Sequence, residues 1–468
     1  MIKYRIPIAI TALLLSLGLL SSCGGNGGKG AQTEPFVPAD PIPEETETED
    51  TTDYGALAAL KFSNLTPTDA SAFTVEQTEN GAVLTSYSGN ESKVRIPDCI
   101  GDKPVVGIAD GVFGGHTEIT VLYIPDTVVD FGTNILVGCS QLYALHTPLP
   151  TKEGTAFLGY LYGAEIYEKN NMPDLRNLEF LEIGGSITEL GAFALYDCND
   201  LVTVSLPDTV KTLGEYSLYR CESLKYLNAE GLTEVKPFAL AHCAALTDLS
   251  FGSGLREIGL GALEGCLSLR NLVLPFVGGT QNENSYLGYI FGATNPTFSL
   301  DFYPNALRKV SILSGCTQLG DYAFYNCQSL RTVVLPEGIT TVGLRAFAGC
   351  TRLTSLALPD SVTSVREYAL AGCISLKSLS LGNSLQTLGV GAFSDCSALT
   401  EITLPQSLSA LPSSAFSGCA RLVRVDFGGV SEVGKQAFYH CDALSEAVAH
   451  RALSIAEGNE RLETLVRS

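Results

Sequence analysis

Basic side chains are scarce in this chain of 468 residues. Lys and Arg total 29 against 50 Asp and Glu, a formal net charge of −21. Such a surface repels nucleic acid and favours solubility, and a charged partner is expected to present a basic patch. Tryptophan is absent and there are only five His. There is no Gly-x-Ser-x-Gly elbow, no His-Glu-x-x-His and no Walker-type loop. The carboxylates are scattered over turn positions without EF-hand spacing. There is no Cys-x-x-Cys pair either, which argues against a metal centre despite 14 cysteines. The expectation is therefore a protein without catalytic residues, metal or cofactor.

Long apolar runs are equally scarce. Residues 6–20 form one, but 15 residues fall short of the roughly 20 that cross a bilayer. With Lys3 and Arg5 before it, the run fits the apolar core of a signal peptide over 1–22. It ends in Leu20-Ser21-Ser22-Cys23, which resembles the bacterial lipobox. That resemblance implies cleavage before Cys23 and a diacylglycerol on its sulfur, a membrane anchor by lipid alone. No second membrane segment and no cell-wall sorting signal is read. Cleavage would remove two cations and take the charge from −21 to −23. Residues 23–54 start Cys23-Gly-Gly-Asn-Gly-Gly and run through four prolines into Glu44-Glu-Thr-Glu-Thr-Glu-Asp50. Few apolar groups and clustered like charge predict a disordered tether.

What is abundant is repetition. From Cys327 the next cysteines are Cys350, Cys373, Cys396 and Cys419, each 23 residues on, then Cys441 after 22. Cys198, Cys221, Cys243 and Cys266 stand at steps of 23, 22 and 23, and Cys139 joins the series with His116 holding the same position 23 residues before it. Three residues after each of these positions is Leu or Ile, as at Leu330, Leu353 and Leu376. Ahead of each cysteine lies a small–large pair such as Ala346-Phe347. A period of 20–29 residues with this leucine spacing signals a leucine-rich solenoid. Within residues 350–360, Leu356 and Leu358 alternate with Ser355 and Ala357, the signature of a short strand with one buried face, and Pro359 ends it. Val362 and Val365 continue the core, and Tyr368, Ala369 and Leu370 sit in a short helical or irregular turn that closes at Cys373. The ladder cysteines read as small core residues. His242 and His440, each just before a ladder Cys, read as variable polar positions and not as Cys–His dyads. Cys99 and Cys316 lie off the ladder, and their pairing is left open.

The pattern Cys-x-x-Leu-x-x-Leu-x-Leu-Pro-x-x-Val-x-x-Val-x-x-x-Ala-Leu over 350–370 resembles the BspA-type bacterial leucine-rich repeat, and the resemblance covers about residues 73–445. It implies an α/β repeat: a curved leucine-rich-repeat solenoid with short parallel strands on one face and short helical or irregular turns on the other. It also implies a surface protein, since the family is associated with binding host matrix proteins and other bacteria. The expected organisation is an N-terminal cap over 55–110, the solenoid over 111–445 and a C-terminal cap and tail over 446–468. Two related inserts lie near 147–178 and 276–306. They share Phe157-Leu-Gly-Tyr-Leu-Tyr-Gly-Ala164 and Tyr286-Leu-Gly-Tyr-Ile-Phe-Gly-Ala293, 129 residues apart. Their aromatics are expected to pack each insert onto the coil.

Outward positions on the strands are where a ligand is expected. Tyr and Arg dominate interface hot spots. Candidate binding residues are Tyr123, Tyr226, Asn228, Asp248, Glu401, Arg424 and Asp426, with lipidation at Cys23. The expected protein is monomeric, exported and lipid-anchored to the cell envelope, surface-exposed, on the outer membrane where the cell has two membranes. Its function is expected to be adhesion or recognition of a protein or glycan. An envelope scaffold is the alternative.

Overall fold

The computed structural model describes residues 53–152, 154, 156–283 and 285–445. Cys23, the signal and tether segments up to residue 52 and the C-terminal segment from 446 lie outside the described residues.

A lead-in of mixed strands starts the body. Phe73–Gln77 and Ala82–Tyr87 pair antiparallel, and Ala82–Tyr87 pairs parallel with Lys103–Ile108. From Lys93–Arg95 onward a parallel ladder builds the front of a solenoid, beginning with Val121–Tyr123 and Ala144–Thr147. Each front strand is about three residues long because the repeat allows no more. In Ser355–Ala357 and Ser378–Ser380 the outer residues are exposed and the central Leu is buried, paired Leu356 with Leu379. A second ribbon of two-residue strands, such as Thr341–Val342, Ser364–Val365 and Thr387–Leu388, forms the next side. Its inward residues Val342 and Val365 are buried.

Among the described residues the third side carries no α-helix; it is a chain of tight turns, with a 3-10 helix at Leu158–Tyr162 and at Leu287–Phe291. Among the described residues the one α-helix is α1, Tyr54–Ser63. The reason lies in the backbone. Most turns place two residues four apart at left-handed φ, as with Tyr322 (62°) and Asn326 (57°), or Gln436 (56°) and His440 (58°). An α-helix cannot contain such residues. The second of each pair sits immediately before the ladder Cys, where Gly349, Gly372 and Gly418 stand in other turns. His242 and His440 therefore occupy a conformational slot. A non-Gly residue there costs roughly 1–2 kcal/mol. At the first position of the pair, which is also left-handed, stacking offsets part of the same cost: the rings of Phe193, Tyr216 and Phe238 are 5.3 and 5.1 Å apart at 5° and 11°.

Inside, Cys and Phe form parallel columns. The ladder cysteines are buried, and nine donate an S–H to a carbonyl of the preceding turn, as Cys350 to Phe324 O (3.1 Å) and Cys373 to Phe347 O (3.3 Å). They are donors as well as fillers, which the spacing alone did not reveal. The two exceptions, Cys198 and Cys327, each follow a long turn. Cys99 is exposed and free, and Cys316 is buried and free.

The long turns are not gaps in the coil. Ala144 pairs with Phe180, 36 positions on, and Asn271 with Lys309, 38 positions on. Each interruption thus holds a complete rung, Phe180–Ile183 or Lys309–Ile312, with Leu175 or Pro304 where other rungs have Cys. The shared aromatic motif is the turn side of that rung. Leu158–Tyr162 and Leu287–Phe291 are 3-10 turns, each closed by a left-handed glycine, Gly163 (88°) or Gly292 (103°). They span neighbouring turns through Leu136 N–H to Leu161 O (2.8 Å) and Leu158 N–H to Ala194 O (2.9 Å). Leu158, Leu161, Tyr162, Leu287, Ile290 and Phe291 are buried. Asn170, fully buried, accepts from Gly159 N–H (2.6 Å) and pins the extra loop. A Cβ on Gly159 would lie 2.5 Å from that amide oxygen, so glycine is required there.

Candidate functional site

The strand face is divided in two by the chain itself. Helix α1 runs across it over the strands Phe180–Ile183, Thr203–Ser205 and Tyr226–Leu227. Asp53 caps it by accepting from Ala56 N–H at 2.9 Å. Phe62 enters a hollow formed by Val121, Ala144 and Phe180, with Tyr123 and Tyr143 at its rim. The Lys61 ammonium lies 4.8 Å from the Tyr143 ring centre and 4.4 Å from that of Phe180. Lys225 Nζ donates to Tyr54 Oη at 2.8 Å. Consequently the outward residues Val121, Ala144 and Thr203 are only 2%, 0% and 0% exposed, whereas their counterparts Ser355 and Ser378 are exposed.

This arrangement sorts the sequence-derived candidates. Tyr123 is in the covered half. Its ring stacks on His146 at 4.1 Å and 9°, and the Arg95 guanidinium sits 4.3 Å over it. Burial, then Asp126, pushes its phenol above the usual value. Tyr226 marks the border between covered and open face, its phenol raised by burial and then by Asp53 and Glu230.

Among the described residues two clefts open on the open half. The first, about 540 Å³, is bounded by Tyr226, Asn228, Glu230 and Asp248. It exists because Tyr226–Leu227 is cut to two residues and does not pair with Asp248–Ser250. Asn228 explains the cut. Its side chain accepts from Leu206 N–H (2.7 Å) and donates to Leu206 O (2.8 Å), substituting for a backbone ladder. The Asn228 amide is thus already engaged within the wall. Asp248 accepts from Asn271 Nδ2 at 2.6 Å. The second cleft, also about 540 Å³, opens between Ser378–Ser380 and Glu401–Thr403, which likewise do not pair, and is lined by Lys377, Asn383, Glu401 and Arg424. Asp426 is exposed on the last described front strand and lines neither cleft. Six rungs separate the clefts, about 30 Å at ~4.8 Å per rung.

Four outward positions belong to the rungs without cysteine: Phe180, Glu182, Lys309 and Ser311. A signal for them was present, since Leu178-x-x-Leu181-x-Ile183 repeats the spacing of Leu353-x-x-Leu356-x-Leu358.

A profile of the BspA-type leucine-rich-repeat region matches in six copies over residues 168–286 and 317–445, more than half of the chain. The chain belongs to the BspA-type leucine-rich-repeat family. Members of this family are typically surface or secreted binding scaffolds and not enzymes. No curated protein matches. Among solved structures, this BspA-type chain is similar to a leucine-rich repeat protein from Bacteroides ovatus, at 21% identity over 83% of this chain and 97% of that one, TM-score 0.40. It is also similar to a leucine-rich cell surface protein from Faecalibacterium prausnitzii, at 20% identity over 86% and 97%, TM-score 0.29. Likenesses this low add nothing to the fold already described. Among the described residues no group of three or more His, Cys, Asp or Glu is placed to hold a metal ion, and no helix is long and apolar enough to cross a membrane.

Proposed function

We propose that this BspA-type protein is a cell-surface lipoprotein, anchored through Cys23, that adheres to a host or bacterial macromolecule through the open half of its strand face. The observation that carries this reading is the uncovered strip from Asp248 to Asp426, which holds two clefts edged by Tyr226, Asp248, Glu401 and Arg424. Aromatic and Arg side chains at cleft rims are the residue types that dominate binding energy.

Size limits how a protein could bind. Seven rung steps give a strip roughly 35 Å long and, at three residues per strand, about 10 Å wide. That is roughly 350 Å², below the ~800 Å² that each partner buries in a standard interface. A protein ligand would have to engage the loops beside the strands as well. A glycan laid along the strip would not, and the small neutral centre at Ser355, Ala357, Ser378 and Ser380 suits one. This favours the second reading, an envelope scaffold that binds glycan.

The test is binding of the chain from Cys23 onward to immobilised matrix proteins and glycans at low and physiological salt. Saturable binding at physiological salt is expected, with Tyr226→Ala and Arg424→Ala each weakening it by about tenfold or more, as befits hot spots. Binding to glycans alone would select the scaffold reading, and binding to nothing would overturn the adhesive one.

A further inference from the structure

The hollow beneath α1 has the chemistry of a binding site already in use. It offers an apolar socket, filled by Phe62, and beside it two ring faces that hold the Lys61 ammonium. The occupant is poorly suited to be permanent. Helix α1 has ten residues with Gly55 near its start, below the ~12–15 residues at which even good helices become marginal on their own. Its helicity is borrowed from docking. Leu57 points outward, 39% exposed. The Thr203 hydroxyl lies fully buried on the strand under α1 with no hydrogen-bond partner. The cover therefore leaves a polar group of the face unmatched. The following chain is fastened independently, through Thr68 N–H to Arg95 O (2.9 Å) and Arg95 N–H to Thr68 Oγ1 (3.1 Å). Release of α1 would leave that anchor and the solenoid in place.

We infer that the hollow is a docking site for a partner's helical segment that carries an aromatic residue next to a cation, and that α1 closes it as an internal stand-in. The inference rests on the strand face being a binding surface and extends it to the half that α1 covers. A cationic partner also suits a chain of net charge −21. Such a segment gains access by competing with Phe62 and Lys61, so α1 sets the threshold for binding.

A fluorescent peptide of residues 53–66 tests this, with full-length chain and anisotropy as the readout. Phe62→Ala, which empties the socket in cis, is expected to bind the peptide about tenfold more tightly than the wild type, because the competing population is removed. Adding Phe180→Ala, or replacing the peptide's phenylalanine by alanine, should abolish the gain. Equal binding by wild type and Phe62→Ala, or equal binding of a scrambled peptide, would overturn the inference. Amide exchange on the wild type is independent of any variant. Amides of 54–63 should exchange about a hundredfold or more faster than those of Thr203–Ser205, as expected of a segment that opens locally. Equal protection would make α1 a fixed part of the body and overturn the inference. Glu401→Ala with Arg424→Ala should leave the peptide unaffected, so failure of the open face and failure of the hollow are told apart.

Discussion

Replacing Phe347 by Ala is expected to destabilise the solenoid by about 3–5 kcal/mol, the range for deleting a large core aromatic. Phe347 is fully buried and stacks on Phe324 at 5.1 Å and 11°. Its amide donates to Ala369 O at 2.7 Å, so the backbone is held on the far side and cannot collapse into the void. Because a solenoid is stabilised by nearest-neighbour interfaces, the loss should concentrate at adjacent rungs and can split the unfolding transition into two. Urea titration followed by circular dichroism measures it, with Ser355→Ala as an exposed control expected to stay within about 0.5 kcal/mol of wild type. A change below about 1 kcal/mol for Phe347→Ala would mean that the aromatic column does not hold the turns together.

The column of Phe and the column of Cys were legible in the sequence because they recur at a fixed step and have one possible place, the inside of the coil. Leu356 and its neighbours were legible by alternation. The rungs at Phe180 and Lys309 are hidden from a cysteine period, because they have Leu175 and Pro304 where the others have Cys. The irregular third side was only half legible, since the left-handed slot is filled in turn by Gly, Asn, Asp, Arg and His and so lacks a residue signature. Coverage of the face by α1 was not legible at all. It depends on a contact between Phe62 and strands up to 118 positions away, for which local pattern carries no trace. The candidates Tyr226, Asp248, Glu401 and Arg424, picked out by outward position and residue type, lie at clefts. The clefts arise where the ladder lapses, and at Tyr226 the shortened turn with Asn228 accounts for it.

The cysteines should be almost inert in the folded chain. Burial pushes the thiols of Cys139, Cys266, Cys327 and Cys441 up to about 12 from their ordinary value near 9. Three units leave roughly a thousandfold fewer thiolates near pH 8, and the thiolate is the reacting species. Restricted access slows the reaction further. In a chain with Cys23→Ser and Cys99→Ser, a thiol reagent at pH 8 is expected to modify essentially nothing while the protein is folded. In concentrated guanidinium it should modify all twelve remaining cysteines. Rapid labelling of several thiols in the folded state would show that the ladder is not packed as described.

That inertness supplies the most direct test of the strand face as the binding surface. In the same background, a single new cysteine at Ser355, exposed in the centre of the open face, is coupled to a bulky maleimide. A second chain carries the same group at Glu367, exposed on the turn side. Binding to whichever immobilised ligand the unlabelled chain captures is then compared. The group at Ser355 is expected to abolish binding and the group at Glu367 to leave it unchanged. Loss at Glu367 with binding intact at Ser355 would contradict this and move the binding surface to the turns.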